Sequence, residues 1–442
     1  MTPARRPTQP PAGGTVPANR WDLAPRRTGP PPTVTVVVTH HEQPRELART
    51  LHALTRQTHP ADRLEVVVAD DGSASPPEVP AGVRLVRQAD EGFRAAAARN
   101  LGAAAGTGEV LVFLDADTTP EPGYVAALSR LPHLLPEALV VGRRRHADLA
   151  GVPADAPVED AGPAHELPSP AWLADGYERT RDLLDADDTS YRFVLSAVAA
   201  CSRWLHETIG GFDPTFTTYG GEDWEWAARA WRHGAVLAHD PAAVTWHDGP
   251  DFADRATAAD RERALAETLA LARRVPAPGA APHGLRIGPA DPVVTADDGL
   301  DATGLLVGLD SLLAALPAAR VRVDTAVADL LVGDPRVTAD PVDPVATDAG
   351  WHLHLHAPAR GPAEAWRGLV DRLAGRDAPA RLLLTGPDDA PLVTARALRG
   401  VRRQQRWGRT DLFPGLTEPA ADAGLAPVPP TTSLEAHLGG WG

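Results

Sequence analysis

The chain has 442 residues, 43% of them hydrophobic, which is enough for two or three domains with ordinary cores. Its 43 basic residues are all arginine and face 58 acids, for a formal net charge of −15. That balance argues against nucleic-acid binding, which needs a positive surface to displace counterions, but leaves room for a phosphate-bearing ligand in one basic pocket.

A single cysteine, Cys201, excludes an intrachain disulfide and a multi-cysteine zinc site and fits a reducing compartment. The first residues carry charge and proline but no apolar core of a signal peptide, and no stretch approaches the roughly 18 apolar residues of a membrane span. A cytoplasmic protein without a transmembrane segment is expected, with peripheral membrane contact left open.

Residues 1–32 are rich in Pro, Gly and Arg without periodicity and read as a flexible leader. The β-branched run Val34–Val38 opens a βαβ unit: Leu47, Leu51 and Leu54 follow at helical spacing, then the strand "LEVVVADDGS". "VRLVRQ" reads as a short strand, "FRAAAARNLGAAAG" as a helix ending in glycine, and "EVLVFLDAD" as a further strand. Strands and helices alternating in this way predict a parallel sheet covered on both faces, with ligands beyond the carboxyl ends of its strands. Asp70, Asp71, Asp115 and Asp117 all fall at such ends and should converge on one crevice.

Residues 146–170 have no period and many prolines, and read as a long loop able to fold over a ligand. Then come a strand, a short helix, a Gly-rich turn, a helix from about Glu222 to His233 and a strand reaching His247; a last helix leads to the linker 275–284. Residues 285–412 read as a smaller α/β domain, a weakened copy of the first unit in which His356 and Pro358 replace the two acids. Residues 413–442 read as a flexible tail. The domain expectation is therefore 1–32, 33–274, 275–284, 285–412 and 413–442.

An Asp-x-Asp at a strand end can hold Mg²⁺ or Mn²⁺ through oxygen, usually shared with substrate phosphates, although Asp117 could also cap the following turn. Glu222 and Asp223 begin a helix, where carboxylates are favoured by the dipole and the free N–H groups, so capping competes with catalysis there. Trp224 and Trp231, seven apart, should face the core, while Trp204 and Trp246 could stack on sugar. His352, His354 and His356 share one face of a strand but have no acidic or cysteine neighbour in sequence, which speaks against a metal site. Cys201 reads as a small buried hydrophobe.

Taken together, "VTVVVTHHEQ", "VVVADDGS", "GFRAAAARN" and "VLVFLDAD" resemble the family 2 glycosyltransferases of the GT-A fold, and "GGFDPTFTTYGGEDWEW" with "VTWHDG" is similar to a galactosyltransferase-type second half. The resemblance implies an inverting transfer of a sugar from a nucleotide-diphosphate donor, a UDP-sugar by first choice, to a carbohydrate, lipid-linked or small-molecule hydroxyl acceptor. It places Thr39 and Glu42 beside the base, Asp70 and Asp71 on base and ribose, and Arg99 near the sugar or diphosphate. Asp115 would share donor and metal; Asp117 and His247 would complete a Mn²⁺ or Mg²⁺ site. Glu222 would bind hydroxyls, and Asp223 would be the catalytic base. "THHEQ" departs from the family's Thr-Tyr-Asn, with His40 standing in for the aromatic residue. The nucleotidyltransferase alternative lacks its Gly-rich basic signature; a degenerate nucleotide- or sugar-binding scaffold is the non-enzymatic alternative.

Overall fold

A computed structural model describes residues 9–25, 29–250, 258–281, 285–376 and 378–439. The chain divides into two units, Met1–Trp231 with Ala235–Leu271, and Arg232–Gly234 with Ala272–Gly442.

The first unit is built on β1 (Val34–His40), β2 (Leu64–Asp70), β3 (Arg84–Arg87), β4 (Val110–Asp115), β5 (Thr118–Pro120), β6 (Ala138–Ala147), β7 (Glu166–Leu167), β8 (Val198–Ser202) and β9 (Val236–Asp248). The sheet runs β3-β2-β1-β4-β8-β6-β9-β5, with β7 pairing β6. β3, β2, β1 and β4 are parallel, whereas β8 is antiparallel to both β4 and β6. Every residue of β1 is buried, as a strand covered on both faces requires, and its four valines supply the β-branched chains that pack there.

The helix Ala95–Ala105 lies close on this sheet because Gly102 has no side chain: a Cβ there would come 2.4 Å from Cγ1 of Val37. That approach sets Arg99, earlier on the same helix, close to the carboxyl end of β4, where it reaches Asp115. On the other side of the site, the helix Glu222–Arg232 is anchored by Trp226, which stacks on Phe212 at 4.4 Å and meets the edge of Phe113.

Several expectations need correction. The leader is not wholly flexible: Val16 is buried, and the Asn19 side-chain amide hydrogen-bonds the backbone of Leu183, in a turn, and of Leu237, in β9. The segment 146–170 is tied down. It holds the helix Val158–Ala164 and β7, and Arg49 donates to the carbonyls of Leu149 and Val152 while pairing with Asp248 at 2.8 Å. Trp246 is fully buried, gives its N–H to Glu121 and is covered by Gly162, so it offers no sugar platform; Trp204 is buried too. Trp231 faces the core as expected, but Trp226, not Trp224, is its fully buried companion.

The second unit contains β10 (Val293–Ala296), β11 (Arg320–Arg322), β12 (Val337–Thr338), β13 (Trp351–Leu355), β14 (Ala359–Arg360), β15 (Arg381–Thr385), β16 (Pro391–Ala397), β17 (Gly415–Pro419) and β18 (Ala426–Pro427). Its main sheet runs β12-β11-β10-β13-β16-β15-β17, and β14 pairs β18 separately. β12, β11, β10 and β13 are parallel and β16 is antiparallel to β13 and β15. Over six strands this repeats the order and directions of β3-β2-β1-β4-β8-β6. The tail is not simply frayed either, since β17 adds a parallel edge strand to β15 through backbone hydrogen bonds that need no side-chain pattern.

Candidate active site

The acids at the carboxyl ends of β1, β2 and β4 divide into two groups. Asp70, opposite His40 in the register, is fully buried with both oxygens occupied. His40 Nδ1 lies 2.7 Å from it, Ser73 Oγ donates at 2.6 Å and Arg87 Nε at 2.8 Å. Burial would raise its pKa, but the bonds from Ser73, Arg87 and His40 outweigh this and hold it below the ordinary value. Asp71 accepts from Gln88 and from the backbone N–H of Arg94. These two aspartates, expected on base and ribose, have oxygens bonded to His40, Ser73, Arg87, Gln88 and Arg94.

His40 is likewise buried, with Nδ1 toward Asp70 and Nε2 accepting from the backbone of Gln43, so it has no face for a base. Its neighbour His41 is exposed and anchored through Nδ1 to the Asp71 carbonyl. Glu42 is exposed with φ of 51°, its carboxylate capping the N–H of Ala74. Thr39 is buried beside Asp115 in the register, and its hydroxyl has no hydrogen-bond partner among the described residues.

The second group surrounds Arg99. Its guanidinium donates to Asp115 at 2.9 Å and to Glu222 at 3.0 Å and is almost fully buried. Burial opposes its charge, yet the carboxylates of Asp115 and Glu222 prevail and raise its pKa. Glu222 is buried, and its second oxygen, Oε2, has no partner among the described residues. A buried carboxylate oxygen without a donor is costly and marks a place where a ligand hydroxyl could bind.

Gly220 and Gly221, with φ of +95° and +90°, make the turn that delivers Glu222 and Asp223 to this place, a conformation L side chains rarely adopt. The carboxyl of Glu267 fills the space that a side chain on Gly220 would need. Burial first, and Glu222 second, push the Asp223 carboxyl from 3.8 to about 7. Arg99 and the N–H of Trp224 oppose that rise, and Glu267 adds to it. Glu267 is itself raised, by burial and by Glu222. No motif pointed to Glu267, which comes from a helix some 45 residues downstream.

Tyr219 was also missed. It is 47% exposed, meets Phe93 edge to face, and its hydroxyl is pushed to about 12 by burial and then by Asp115. An exposed aromatic ring at a crevice mouth suits a sugar face better than the buried tryptophans do.

Asp117 and His247 meet across β5 and β9, where Thr118 pairs with His247, and His247 Nε2 lies 3.7 Å from Asp117 Oδ2. His247 Nδ1 faces the Gly249 carbonyl at 3.3 Å, which favours a proton there and a lone pair toward Asp117. Gln43 and Thr118 hydrogen-bond the Asp117 carboxylate. Asp115 Oδ1 is held by Arg99 at 2.9 Å. A carboxylate and an imidazole whose other nitrogen is held by the Gly249 carbonyl fit a divalent cation by donor type.

The mixed sheet, with Asp70 and Asp115 at the carboxyl ends of its parallel strands, has the GT-A fold expected from the sequence. Residues 35–178 match the model of glycosyl transferase family 2, and residues 186–243 match that of the N-terminal domain of galactosyltransferase. The hyaluronan synthase of Pasteurella multocida is 30% identical over 268 residues, 54% of this chain and 27% of that protein. The validoxylamine A glucosyltransferase of Streptomyces hygroscopicus subsp. jinggangensis is 30% identical over 239 residues, 48% of this chain and 54% of that protein. The chain thus spans about a quarter and about half of these two relatives. A solved mannosyltransferase from Pyrobaculum calidifontis, in complex with GDP-Man and Mn²⁺, has a TM-score of 0.38 and 22% identity, covering 57% of this chain and 67% of that one. Among the described residues, no helix is long and apolar enough to cross a membrane.

Proposed function

We propose that the first unit is an inverting glycosyltransferase that moves a sugar from a nucleotide-diphosphate donor to a hydroxyl acceptor. The observation that carries this is Asp223, a carboxyl with its pKa pushed to about 7 beside Glu222 and Arg99, where Arg99 also holds Asp115. A base acts best with its pKa near the working pH, and Asp223 meets that condition through burial beside a second carboxylate.

In this reading Asp223 takes the proton of the acceptor hydroxyl as its oxygen attacks the anomeric carbon and the bond to the nucleotide diphosphate breaks. Glu222 Oε2 accepts a hydroxyl of the bound sugar. Asp117 and His247 would hold Mn²⁺ or Mg²⁺, which when bound supplies Lewis-acid charge to the departing diphosphate. Asp115 fixes Arg99 and turns its second oxygen to the donor, while Thr39 offers a hydroxyl below it. A UDP-sugar donor, a carbohydrate, lipid-linked or small-molecule acceptor, and a cytoplasmic setting complete the proposal.

The pH dependence tests the base. Only ionised Asp223 can accept a proton, so single-turnover transfer should rise with pH through a midpoint of about 7 and level off above it. A rate independent of pH between about 5 and 8 would remove Asp223 from this role. Stability carries the opposite slope. The folded-state pKa lies above the ordinary 3.8, so this group makes the protein less stable as the pH rises from there to about 7.

A further inference from the structure

The sequence left His354 and His356 without an acidic neighbour, but the fold supplies one. Asp297 follows directly on β10, which is paired in parallel with β13, and its backbone N–H bonds the Leu355 carbonyl. His354 Nε2 lies 3.1 Å from Asp297 Oδ1 and His356 Nδ1 lies 3.5 Å from Oδ2. One ligand atom from each of the three residues falls within 4.8 Å of the other two, the only such trio among the described residues. Ligands about 2.0–2.1 Å from a tetrahedral zinc stand roughly 3.3 Å apart, and each histidine nitrogen lies at about that distance from one of the two Asp297 oxygens.

The surroundings suit that use. His354 Nδ1 lies 2.7 Å from Thr295 Oγ1, and His356 Nε2 lies 2.8 Å from Thr394 Oγ1. A hydroxyl accepts as readily as it donates, so each ring can carry its proton on the threonine side and turn a lone pair toward Asp297. His352 takes no part. Its Nδ1 faces Arg396 at 3.1 Å, an obligate donor, so its proton sits on Nε2 and is given to Thr295. Asp297 and His354 also line a cleft of about 330 Å³ with Arg322, which leaves space for a water or a small anion as a fourth ligand.

We propose that Asp297, His354 and His356 form a divalent transition-metal site of the two-histidine, one-carboxylate type in the second unit, with Zn²⁺ its best-suited occupant and one position open. It lies at the carboxyl ends of the two central parallel strands, the same topological place that Asp115 and Thr39 occupy in the first unit. Two imidazoles with one carboxylate favour Zn²⁺ over Mg²⁺ or Mn²⁺.

The test uses the full chain, stripped with a chelator and titrated with Zn²⁺ without nucleotide against a competing chromophoric chelator. One Zn²⁺ should bind to the wild type and equally to Asp117→Ala, which disables the first unit's pair. His354→Gln with His356→Gln should lose that equivalent while keeping the apo melting temperature. Thr394→Val, which leaves all three ligands in place, should weaken binding by about 10- to 100-fold, and it decides the matter if the double variant does not fold. Zn²⁺ bound with unchanged affinity after these substitutions, binding lost only in Asp117→Ala, or no uptake at micromolar Zn²⁺ would each overturn the site.

Discussion

Asp223→Asn should lower transfer by about 10²- to 10⁴-fold while donor binding stays within a few-fold of wild type. The substitution keeps the side chain's size and removes only its ability to take a proton. Its effect should therefore fall on the chemical step, seen in single-turnover rates, and not on nucleotide affinity measured by calorimetry. Glu222→Gln makes a useful contrast, because Glu222 holds Arg99 as well as a ligand hydroxyl, so both affinity and stability should suffer. Transfer at wild-type rate by Asp223→Asn would mean that another group, Glu267 first, is the base.

The second large effect is on stability. Arg99→Met should cost the first unit about 3–5 kcal/mol, because it leaves the buried Glu222 and the half-buried Asp115 without their shared cation. Chemical denaturation followed by tryptophan fluorescence would report it, since five of the 11 tryptophans lie between residues 204 and 246. Adding Asp115→Asn and Glu222→Gln to Arg99→Met should recover much of the loss by removing the stranded charges. A loss below about 1 kcal/mol in the single variant would mean that the network contributes little.

The central strands were legible because their burial leaves its mark on composition. Val36–Val38 and Val110–Leu114 are apolar without alternation, as parallel strands covered on both faces must be. What defeated the sequence was the assignment of individual side chains at strand ends. Successive residues there point to opposite faces, so a shift of one position exchanges the buried His40 for the exposed His41. The partners of Asp70 and Asp71 were not legible, because Ser73, Arg87, Gln88 and Arg94 come from β3 and the turns around it, whose path no periodicity encodes.

Long-range partners were hidden for the same reason. Glu267 beside Gly220 and Asp297 beside His354 belong to separate elements, and only the fold brings them together. Proline-rich stretches misled in the other direction. Residues 9–25 lack a period, yet Asn19 meets the backbone needs of Leu237 with one side chain, a contact that requires no pattern. Trp246 sat in a suggestive motif but serves the core, covered by a glycine whose own significance was invisible in one dimension.

Asp117 and its neighbours are proposed to hold the cation that binds a nucleotide-diphosphate donor. The most direct measurement is the thermal shift of the full chain with UDP, GDP and TDP, each with and without Mn²⁺, for wild type, Asp117→Ala and the His354→Gln, His356→Gln variant. One nucleotide should give a Mn²⁺-dependent stabilisation of about 2.7 kcal/mol at 100 times its dissociation constant, absent in Asp117→Ala and kept in the histidine variant. A nucleotide shift that survives Asp117→Ala would contradict the cation assignment, and no shift with any nucleotide would contradict the transferase itself and favour a binding scaffold.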